Sequence, residues 1–292
     1  MRNKKFHRIA RSIEGARILM TLRLHHITSV HHTDLEPYRT LKRPIDHQQQ
    51  GIFIAEGEKV VRRLAESTLR VRSILLTKEW FAVYESLLQS RRETIEVYIA
   101  EKDLMETIVG YPLHKGIMAL AEIPERTTIA KIVAVTSPPF LFAAVDGIMN
   151  SENLGVIIRN CSSFGVQAIL VGETSCDPYL RRAVRNSMGN VFVLPIVQLR
   201  DIAMELSILR SSYGTKLIAA HPREGSKDVS MVDLAGDCCV VFGSEGNGIS
   251  EAVLAICDEA VTIPMMNGVD SINVGSASAV LLYEARRQRS LR

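Results

Sequence analysis

The segment CCVVFGSEGNGIS, Cys238–Ser250, joins an apolar run to a glycine-rich loop. The run CCVVFG contains no charged or strongly polar residue, which predicts a short strand buried on both faces. Gly243, Gly246 and Gly248 predict a loop whose backbone can approach a ligand closely and present bare N–H groups. We therefore expect a buried strand that leads into a ligand-binding loop, with a helix after it.

The spacing of these glycines distinguishes between possible ligands. It is G-x-x-G-x-G, whereas the dinucleotide fingerprint is G-x-G-x-x-G. Glu245 in the loop would also repel a pyrophosphate. A ligand without phosphates fits better, and S-adenosylmethionine is one, because it carries a positive sulfonium and a neutral adenosine. A plain strand-to-helix turn remains an alternative for this motif taken alone.

Four further apolar runs surround this segment, and each predicts a buried strand. They are FLFAAVDG (140–147), VQAILVG (166–172), NVFVLPIV (190–197) and KLIAAHP (216–222). Helical patterns lie before, between and after them, with NLGVIIRNCSSFG at Asn153–Gly165 and SASAVLLYEARRQRS at Ser276–Ser290. Residues 137–292 are therefore predicted to form an α/β domain with a parallel sheet covered on both faces.

The first part of the chain has a different organisation. Strand-like and helical segments alternate within residues 27–124, which predicts a small α/β sandwich; they are GIFIAEG, EKVVRRLAES, VRSILLT, TIEVYIA and GIMALAE. Residues 125–136, in a stretch with prolines at both ends, are expected to form a linker. Residues 1–26 are Arg-rich and predict a basic arm. An organelle presequence, or a start at Met20, would explain the same stretch.

Charge is divided unevenly between these two parts. Residues 1–136 carry 22 Lys and Arg against 16 Asp and Glu, whereas residues 137–292 carry 13 against 16. A basic first module next to a mildly acidic second one indicates that the first meets a polyanion, and RNA is the expected partner. A solvated charged surface is the alternative that charge alone leaves open.

Cysteine spacing and hydropathy bear on other classes of protein. The five cysteines lie in the second half without C-x-x-C spacing, so we expect buried free thiols and no metal site. No apolar run reaches the roughly 18 residues of a membrane helix, so no membrane span is expected. The expected location is the cytoplasm, or an organelle matrix if residues 1–26 are a presequence.

A second motif is NSENLGVIIRN, Asn150–Asn160. Asn153 is predicted to cap the following helix. Arg159 comes six residues later, nearly two turns, and is predicted to share one side of the helix with Asn153. An Arg on an apolar helix needs a partner, and Glu245 is the simplest one.

A third motif is IPMMNGVDSINVGSASA, Ile263–Ala279. The end of an apolar strand is followed by a polar loop over 267–270. Ser271 and Asn273 then flank Ile272, and small residues open the last helix. Such residues at a helix start permit close packing or ligand contact, although small-residue helix starts are common.

Together the three motifs resemble the SPOUT superfamily of methyltransferases, in particular the TrmH/SpoU family of RNA ribose 2'-O-methyltransferases. The resemblance covers about residues 140–284. It includes RRAVRNSMGNVFVLPIV (181–197), which looks like the family's R-x-S-x-G-x-x-F-x-L-P stretch. The first module, with FIAEGEKVVRRL (53–64), is similar to the ribosomal-protein-like substrate-binding domain of many members.

The resemblance implies a C-terminal domain with a deep trefoil knot, a homodimer, and S-adenosyl-L-methionine as methyl donor without a metal. It implies that the cofactor site contains Gly243, Ile263 and Ile272, with Gly246, Met265 and Asn273 assigned to the same site. It implies a catalytic set of Asn153, Arg159, Glu245, Ser271 and Asn273, in which Arg159 is either the proton acceptor or a group that positions the ribose or its phosphate. Ile272 stands where the family has Leu, and Gly275 where it often has Ser.

Three other functions compete with RNA 2'-O-methylation. A catalytically inactive RNA-binding protein of this fold would be expected to lose Asn153, Arg159 or the glycine loop, and none is lost. A SPOUT enzyme that methylates a base nitrogen would use different polar residues. A nucleotide-dependent oxidoreductase is disfavoured by the glycine spacing and by Glu245. Because a substrate-binding module is expected, rRNA is favoured over tRNA as the substrate.

Overall fold

A computed structural model describes residues 22–222 and 225–291 of the 292-residue chain. The chain divides into two compact units, with the boundary between Pro124 and Glu125. Of the predicted basic arm over 1–26, residues 1–21 lie outside the described residues. Residues 22–26 form a strand instead of an arm, because Leu22–His26 pairs with a neighbouring strand along its whole length.

The first unit contains one five-stranded sheet of order β1-β4-β3-β5-β2. Its strands are β1 Leu22–His26, β2 Ile52–Glu56, β3 Val71–Leu76, β4 Ile95–Ile99 and β5 Ile117–Glu122. Strands β1, β4 and β3 run parallel, and β5 is antiparallel to both β3 and β2.

Within residues 22–124, five helices accompany this sheet. They are α1 Glu36–Arg39, α2 Pro44–Gln49, α3 Glu58–Glu66, α4 Lys78–Gln89 and α5 Lys102–Val109, with a 3-10 turn at Thr33–Leu35. Tyr38 of α1 and Met105 of α5 pack against Leu75 and Met118 of the sheet in one buried cluster. The predicted alternation of strands and helices is therefore present, with β1 and the first two helices in addition.

The second unit contains a seven-stranded sheet of order β10-β12-β9-β11-β6-β7-β8. Its strands are β6 Leu141–Asp146, β7 Ala168–Val171, β8 Ile196–Gln198, β9 Lys216–Ala220, β10 Lys227–Asp228, β11 Cys238–Gly243 and β12 Glu259–Thr262. Every pairing between these strands is parallel. The α/β fold class and the predicted parallel sheet are thereby confirmed.

Helices cover both faces of this sheet, as a parallel sheet requires. They are α6 Ile129–Val135, α7 Ser151–Phe164, α8 Arg181–Asn186, α9 Ile202–Tyr213, α10 Glu251–Ile256 and α11 Val274–Arg289. One face is covered by α6, α9 and α10, whose apolar residues share a buried cluster with alternate residues of the strands. Helices α7 and α11 contact each other and the sheet, and α8 packs on α7.

Two predicted boundaries in this unit differ from the structure. The predicted linker over 125–136 contains helix α6, whose Ile129 and Ile132 are buried in the core of the second unit. The predicted strand over 190–197 begins instead as a 3-10 turn, Asn190–Phe192, and only Ile196–Gln198 is a strand. The turn forms because Gly189, with a φ of +79°, reverses the chain immediately before it.

Helix α7 begins earlier than the predicted cap at Asn153. Its N-cap is Asn150, whose side chain accepts a hydrogen bond from the backbone N–H of Glu152 at 2.8 Å. Asn153 therefore lies inside the first turn, where its side chain is free to point into the unit. Gly165, in the left-handed conformation, ends the helix as predicted.

All five cysteines are free thiols, and Cys161, Cys238 and Cys239 are buried. Cys176 is partly exposed, and burial together with the nearby Asp177 charge raises its pKa to about 11 from a usual 9.0. A raised pKa leaves less thiolate at any pH below it. At pH 8 we expect Cys176 in the native protein to react with iodoacetamide on the order of 100-fold more slowly than after unfolding, as peptide mass spectrometry would measure. Equal rates would contradict this environment.

Candidate active site

The strand β11 ends in a tight loop that only glycine at position 243 permits. A Cβ atom on Gly243 would lie 2.2 Å from the carbonyl carbon of Gly248 and 2.3 Å from the backbone nitrogen of Ile249. Ser244 and Gly248 exchange two backbone hydrogen bonds of 2.9 and 3.0 Å, which close the loop on itself. The sequence predicted that the backbone at these glycines approaches a ligand closely. At Gly243 the close neighbour is instead the backbone of the same loop, at Gly248 and Ile249.

The buried carboxylate of Asp146 fastens the far end of this loop. Asp146, at the end of β6, is only 5% exposed, and its Oδ2 accepts a 2.8 Å hydrogen bond from the backbone N–H of Ser250. Ser250 is the N-cap residue of α10. The predicted residues did not include Asp146, although its position at the carboxyl end of a parallel strand was a signal for it.

Three predicted catalytic side chains meet beside this loop. Glu245 Oε1 accepts hydrogen bonds of 2.6 Å from Asn153 Nδ2 and of 2.6 Å from Asn273 Nδ2. Asn273 Nδ2 also donates to Asn153 Oδ1 at 3.1 Å. A carboxylate can only accept, so it fixes the orientation of both amide groups. We call Asn153, Glu245 and Asn273 the amide–carboxylate cluster.

The cluster also fixes the start of the last helix. Asn273 is the N-cap residue of α11, and its Oδ1 accepts a 2.8 Å hydrogen bond from the backbone N–H of Gly275. Both functional groups of the Asn273 amide are therefore occupied, one by the helix and one by the cluster. As a result, the helix start and the glycine loop are positioned relative to each other.

Helix α7 presents two separate stripes of residues, and they explain where Arg159 lies. Asn153, Val156 and Asn160 face α11; Asn160 Nδ2 donates to Gly275 O at 2.8 Å and to Ser278 Oγ at 2.9 Å. Glu152 and Gly155 face α8, and Arg159 follows Gly155 by one turn on that stripe.

The prediction that Asn153 and Arg159 share one side of the helix is therefore wrong. Six residues turn an α-helix by about 600°, which leaves the two residues about 120° apart. Asn153 is buried, whereas Arg159 is exposed. The predicted pairing of Arg159 with Glu245 is also absent, since Glu245 binds the two asparagines instead.

Gly275, where the family often has Ser, contacts Val156 of α7. A Cβ atom on Gly275 would lie 2.8 Å from Val156 Cγ1 and 2.9 Å from Asn273 Oδ1. The branched side chain of Val156 therefore occupies the space that a serine would need. In this chain the small residue at 275 and the branched residue at 156 are therefore complementary in size.

We expect Gly275→Ser to lower the free energy of unfolding by about 1–3 kcal/mol, because the added atoms overpack the contact between α7 and α11. Adding Val156→Ala should restore part of that loss by opening space. Urea denaturation of both variants measures the effect. A loss that Val156→Ala leaves unchanged would contradict the proposed complementarity.

A cavity of about 390 Å³ opens between the glycine loop, the segment after β12 and the first turns of α11. Its volume is in the range of small-molecule sites. Of the predicted site residues, the following line it: Gly243, Glu245, Ile263, Met265, Ser271, Ile272 and Asn273. Gly246 does not, because it lies exposed in the turn of the loop. Asn153 and Arg159 do not line it either, and Asn153 is linked to the lining by its hydrogen bonds with Glu245 and Asn273.

The prediction from sequence missed one wall of this cavity, formed by Ala220, His221 and Pro222 at the end of β9, and by Thr262 at the end of β12. The strand ending in His221 was predicted, but nothing in its pattern indicated that β9 lies beside β11. The imidazole of His221 lies close to the loop, 3.2 Å from the position of a Cβ on Gly248.

The chemistry of this lining fits S-adenosylmethionine. Phe242, Val261, Ile263 and Leu281 provide apolar walls for a flat aromatic base. Among the described residues of the lining none is Lys or Arg, whereas Glu245 and Asp270 are acidic. Such a site suits a ligand with a positive sulfonium better than one with a pyrophosphate.

Two further observations concern metals and membranes. Within residues 22–222 and 225–291, no group of three or more His, Cys, Asp or Glu side chains is arranged to hold a metal ion. None of the helices in the same part of the chain combines the length and apolar character that crossing a membrane requires.

Comparison with known proteins identifies relatives of this chain. Residues 141–283 match the model of the SpoU rRNA Methylase family. An uncharacterized tRNA/rRNA methyltransferase of Mycobacterium tuberculosis is 33% identical over 264 residues, which are 87% of this chain and 88% of that protein. The 23S rRNA (guanosine-2'-O-)-methyltransferase RlmB of Vibrio parahaemolyticus is 31% identical over 183 residues, covering 60% of this chain and 71% of that protein.

Among solved structures, the SpoU methyltransferase AviRb from Streptomyces viridochromogenes in complex with AdoMet superimposes with a TM-score of 0.77. It is 26% identical, and the match covers 89% of this chain and 100% of that chain. The similarity therefore extends over both units of the present chain and not only over the segment that the family model covers.

Proposed function

Because the chain belongs to the SpoU/TrmH family of RNA methyltransferases and uses S-adenosylmethionine as methyl donor, we propose that it methylates a ribose 2'-hydroxyl of RNA. The observation that carries this proposal is the amide–carboxylate cluster at the edge of the cavity. It places a negatively charged acceptor, held by two amides, where a hydroxyl group can approach the cofactor site.

When bound, the cofactor supplies a methyl group that is already activated by its positive sulfur. In the transfer, the ribose oxygen would bond to that methyl carbon, the carbon–sulfur bond would break to leave a neutral sulfur, and the hydroxyl proton would pass to water or to the second carboxylate oxygen of Glu245. The task of the protein is then to align the hydroxyl and to accept or direct its proton. Glu245 is suited to hold the hydroxyl, because its Oε1 is occupied by two amides and the carboxylate has a second oxygen.

We propose separate roles for the other predicted residues. Asn153 positions Glu245 without reaching the cavity itself, so it is a positioning residue. Ser271 and Asn273 line the cavity and shape its reacting end. Arg159, which is exposed and presents a planar set of hydrogen-bond donors without an acceptor, binds a phosphate of the substrate and does not accept the proton.

We further propose that the second unit forms the trefoil knot and the homodimer that its family implies. The position of the cavity between the loop after β11 and the segment after β12 supports the knot. The side chains of Val280 and Tyr283 on α11 are 39% and 57% exposed, and these apolar groups support the homodimer. Light scattering of the purified chain tests the dimer, and a monomer at all concentrations would contradict it.

The 23S rRNA specificity named for RlmB leads us to favour ribosomal over transfer RNA as the substrate. The test is transfer of radiolabelled methyl from S-adenosylmethionine to deproteinised rRNA and to bulk tRNA, both from a strain lacking the gene. We expect label in the rRNA fraction. Label in tRNA alone would overturn the choice of substrate but not the reaction.

A further inference from the structure

A local concentration of positive charge in the second unit lies next to the amide–carboxylate cluster. Residues 178–200 contain four arginines and no Asp or Glu, within a unit whose residues 137–292 are on balance acidic. Arg182 and Arg185 lie on α8, and Arg159 lies on the stripe of α7 that faces α8. We call Arg159, Arg182 and Arg185 the arginine surface.

The way α8 packs leaves these arginines outward. Ala183 and Val184 are fully buried, and α8 approaches so closely that a Cβ on Gly155 would lie 2.6 Å from Ala183 O. The side of α8 that carries these residues therefore packs against α7. Arg182, with 69% of its side chain exposed, and Arg185, also exposed, project from the other side.

The arginine surface is connected to the cluster through two neighbouring residues of α7. Arg182 Nη1 lies 3.7 Å from Glu152 Oε1. Glu152 directly precedes Asn153, whose Nδ2 donates to Glu245. Arg182 therefore contacts the residue next to Asn153, and this places α8 beside the part of α7 that holds Glu245.

We propose that the arginine surface binds the RNA phosphates that flank the methylated ribose. The proposal rests on the proposed function and deepens it, because it assigns phosphate contacts to the catalytic unit itself. Guanidinium groups suit this role, since they present a planar set of donors that matches phosphate oxygens. Arg182 lies 3.7 Å from Glu152, and both side chains are more than half exposed, so water screens this pair and leaves the guanidinium open to a phosphate.

The test measures how the affinity for RNA depends on salt. Binding of a fluorescein-labelled 20-nucleotide oligouridine to the full-length chain is followed by anisotropy between 50 and 300 mM KCl. Each phosphate contact contributes a slope of about −0.7 to log K against log salt for a single strand. For Arg182→Gln/Arg185→Gln we expect the slope to become less negative by about 1.4.

Three comparisons separate this role from a structural one. Arg126→Gln/Lys131→Gln removes two exposed positive charges at and before the start of α6. This variant has the same net charge as the glutamine variant on α8, and its slope should change by less than about half as much. Arg182→Lys/Arg185→Lys keeps both charges and should keep the slope. The affinity for S-adenosylhomocysteine and the melting temperature should equal those of the wild type in both α8 variants.

Two outcomes would overturn the proposal. One is an equal slope in the glutamine variant on α8 and in the wild type. The other is a change in the molecular mass from light scattering with no change in slope, which would make this surface a contact between copies of the chain. Methylation of RNA by the wild type tests the proposed function separately, because it does not depend on the slopes.

Discussion

Replacing Gly243 by alanine is expected to weaken the binding of S-adenosylhomocysteine on the order of 100-fold. The added Cβ would meet the backbone of Gly248 and Ile249 at 2.2–2.3 Å, and neither can move without opening the loop. Overpacking of this kind costs up to about 3 kcal/mol, and about 1.4 kcal/mol corresponds to a tenfold change in affinity. Isothermal titration calorimetry measures the loss directly.

Gly236→Ala is the matched control for that substitution. It also adds a methyl group to a glycine of the second unit, but its Cβ would point into open space. We expect its affinity to stay within about twofold of the wild type, since surface substitutions usually change stability by less than about 0.5 kcal/mol. If Gly243→Ala also bound with wild-type affinity, the loop would not need the close backbone approach described here.

The second large effect is expected at Asn153. Asn153→Ala removes one of the two amides that hold Glu245 Oε1. Loss of one such preorganised donor lowers kcat by about 10²–10³ in enzymes where it has been tested. Because Asn153 does not line the cavity, we expect the KM for S-adenosylmethionine to change little while kcat falls.

Two companions make the role of Asn153 specific. Asn153→Asp keeps the shape but replaces the donor with a second carboxylate beside Glu245, so it should be at least as impaired as the alanine variant. Asn247→Ala removes an exposed amide from the neighbouring loop and should retain wild-type turnover. Wild-type kcat in Asn153→Asp would rule out donation to Glu245 as the function of this side chain.

The sheet of the second unit was predictable because its strands are continuous apolar runs. Cys238–Gly243 was predicted as a strand and is one. A parallel sheet buried on both faces requires such runs, so hydrophobicity alone identifies them. The length of the short strand after Pro195 was overestimated, because Gly189 and the 3-10 turn that follows it interrupt an otherwise apolar segment.

The amide–carboxylate cluster was predictable only through the family resemblance. Asn153, Glu245 and Asn273 lie on three distant segments, and no single motif indicates that they meet. The position of Arg159 was misjudged by helix phase, an error of about 120° that careful use of the helical repeat would have avoided. His221 could not be found without the strand order, which decides which strand ends are neighbours, whereas the position of Asp146 at the carboxyl end of a predicted strand was a signal that was not used.

The division of charge between the two units now has a more specific meaning. The basic excess of residues 1–136 predicted that RNA is captured by the first unit. The proposed arginine surface on α7 and α8 would add a second, local RNA contact, within a unit whose net charge gave no indication of it. RNA capture and alignment at the site are thus assigned to different parts of the chain.

Methyl transfer to a ribose oxygen is tested most directly by nucleoside analysis of the product. RNA is incubated with the enzyme and isotopically labelled S-adenosylmethionine, digested to nucleosides, and separated by liquid chromatography with mass spectrometry. We predict that the label appears in a 2'-O-methylnucleoside, whose fragmentation leaves the methyl on the sugar. Label that stays with the base after loss of the sugar would contradict it.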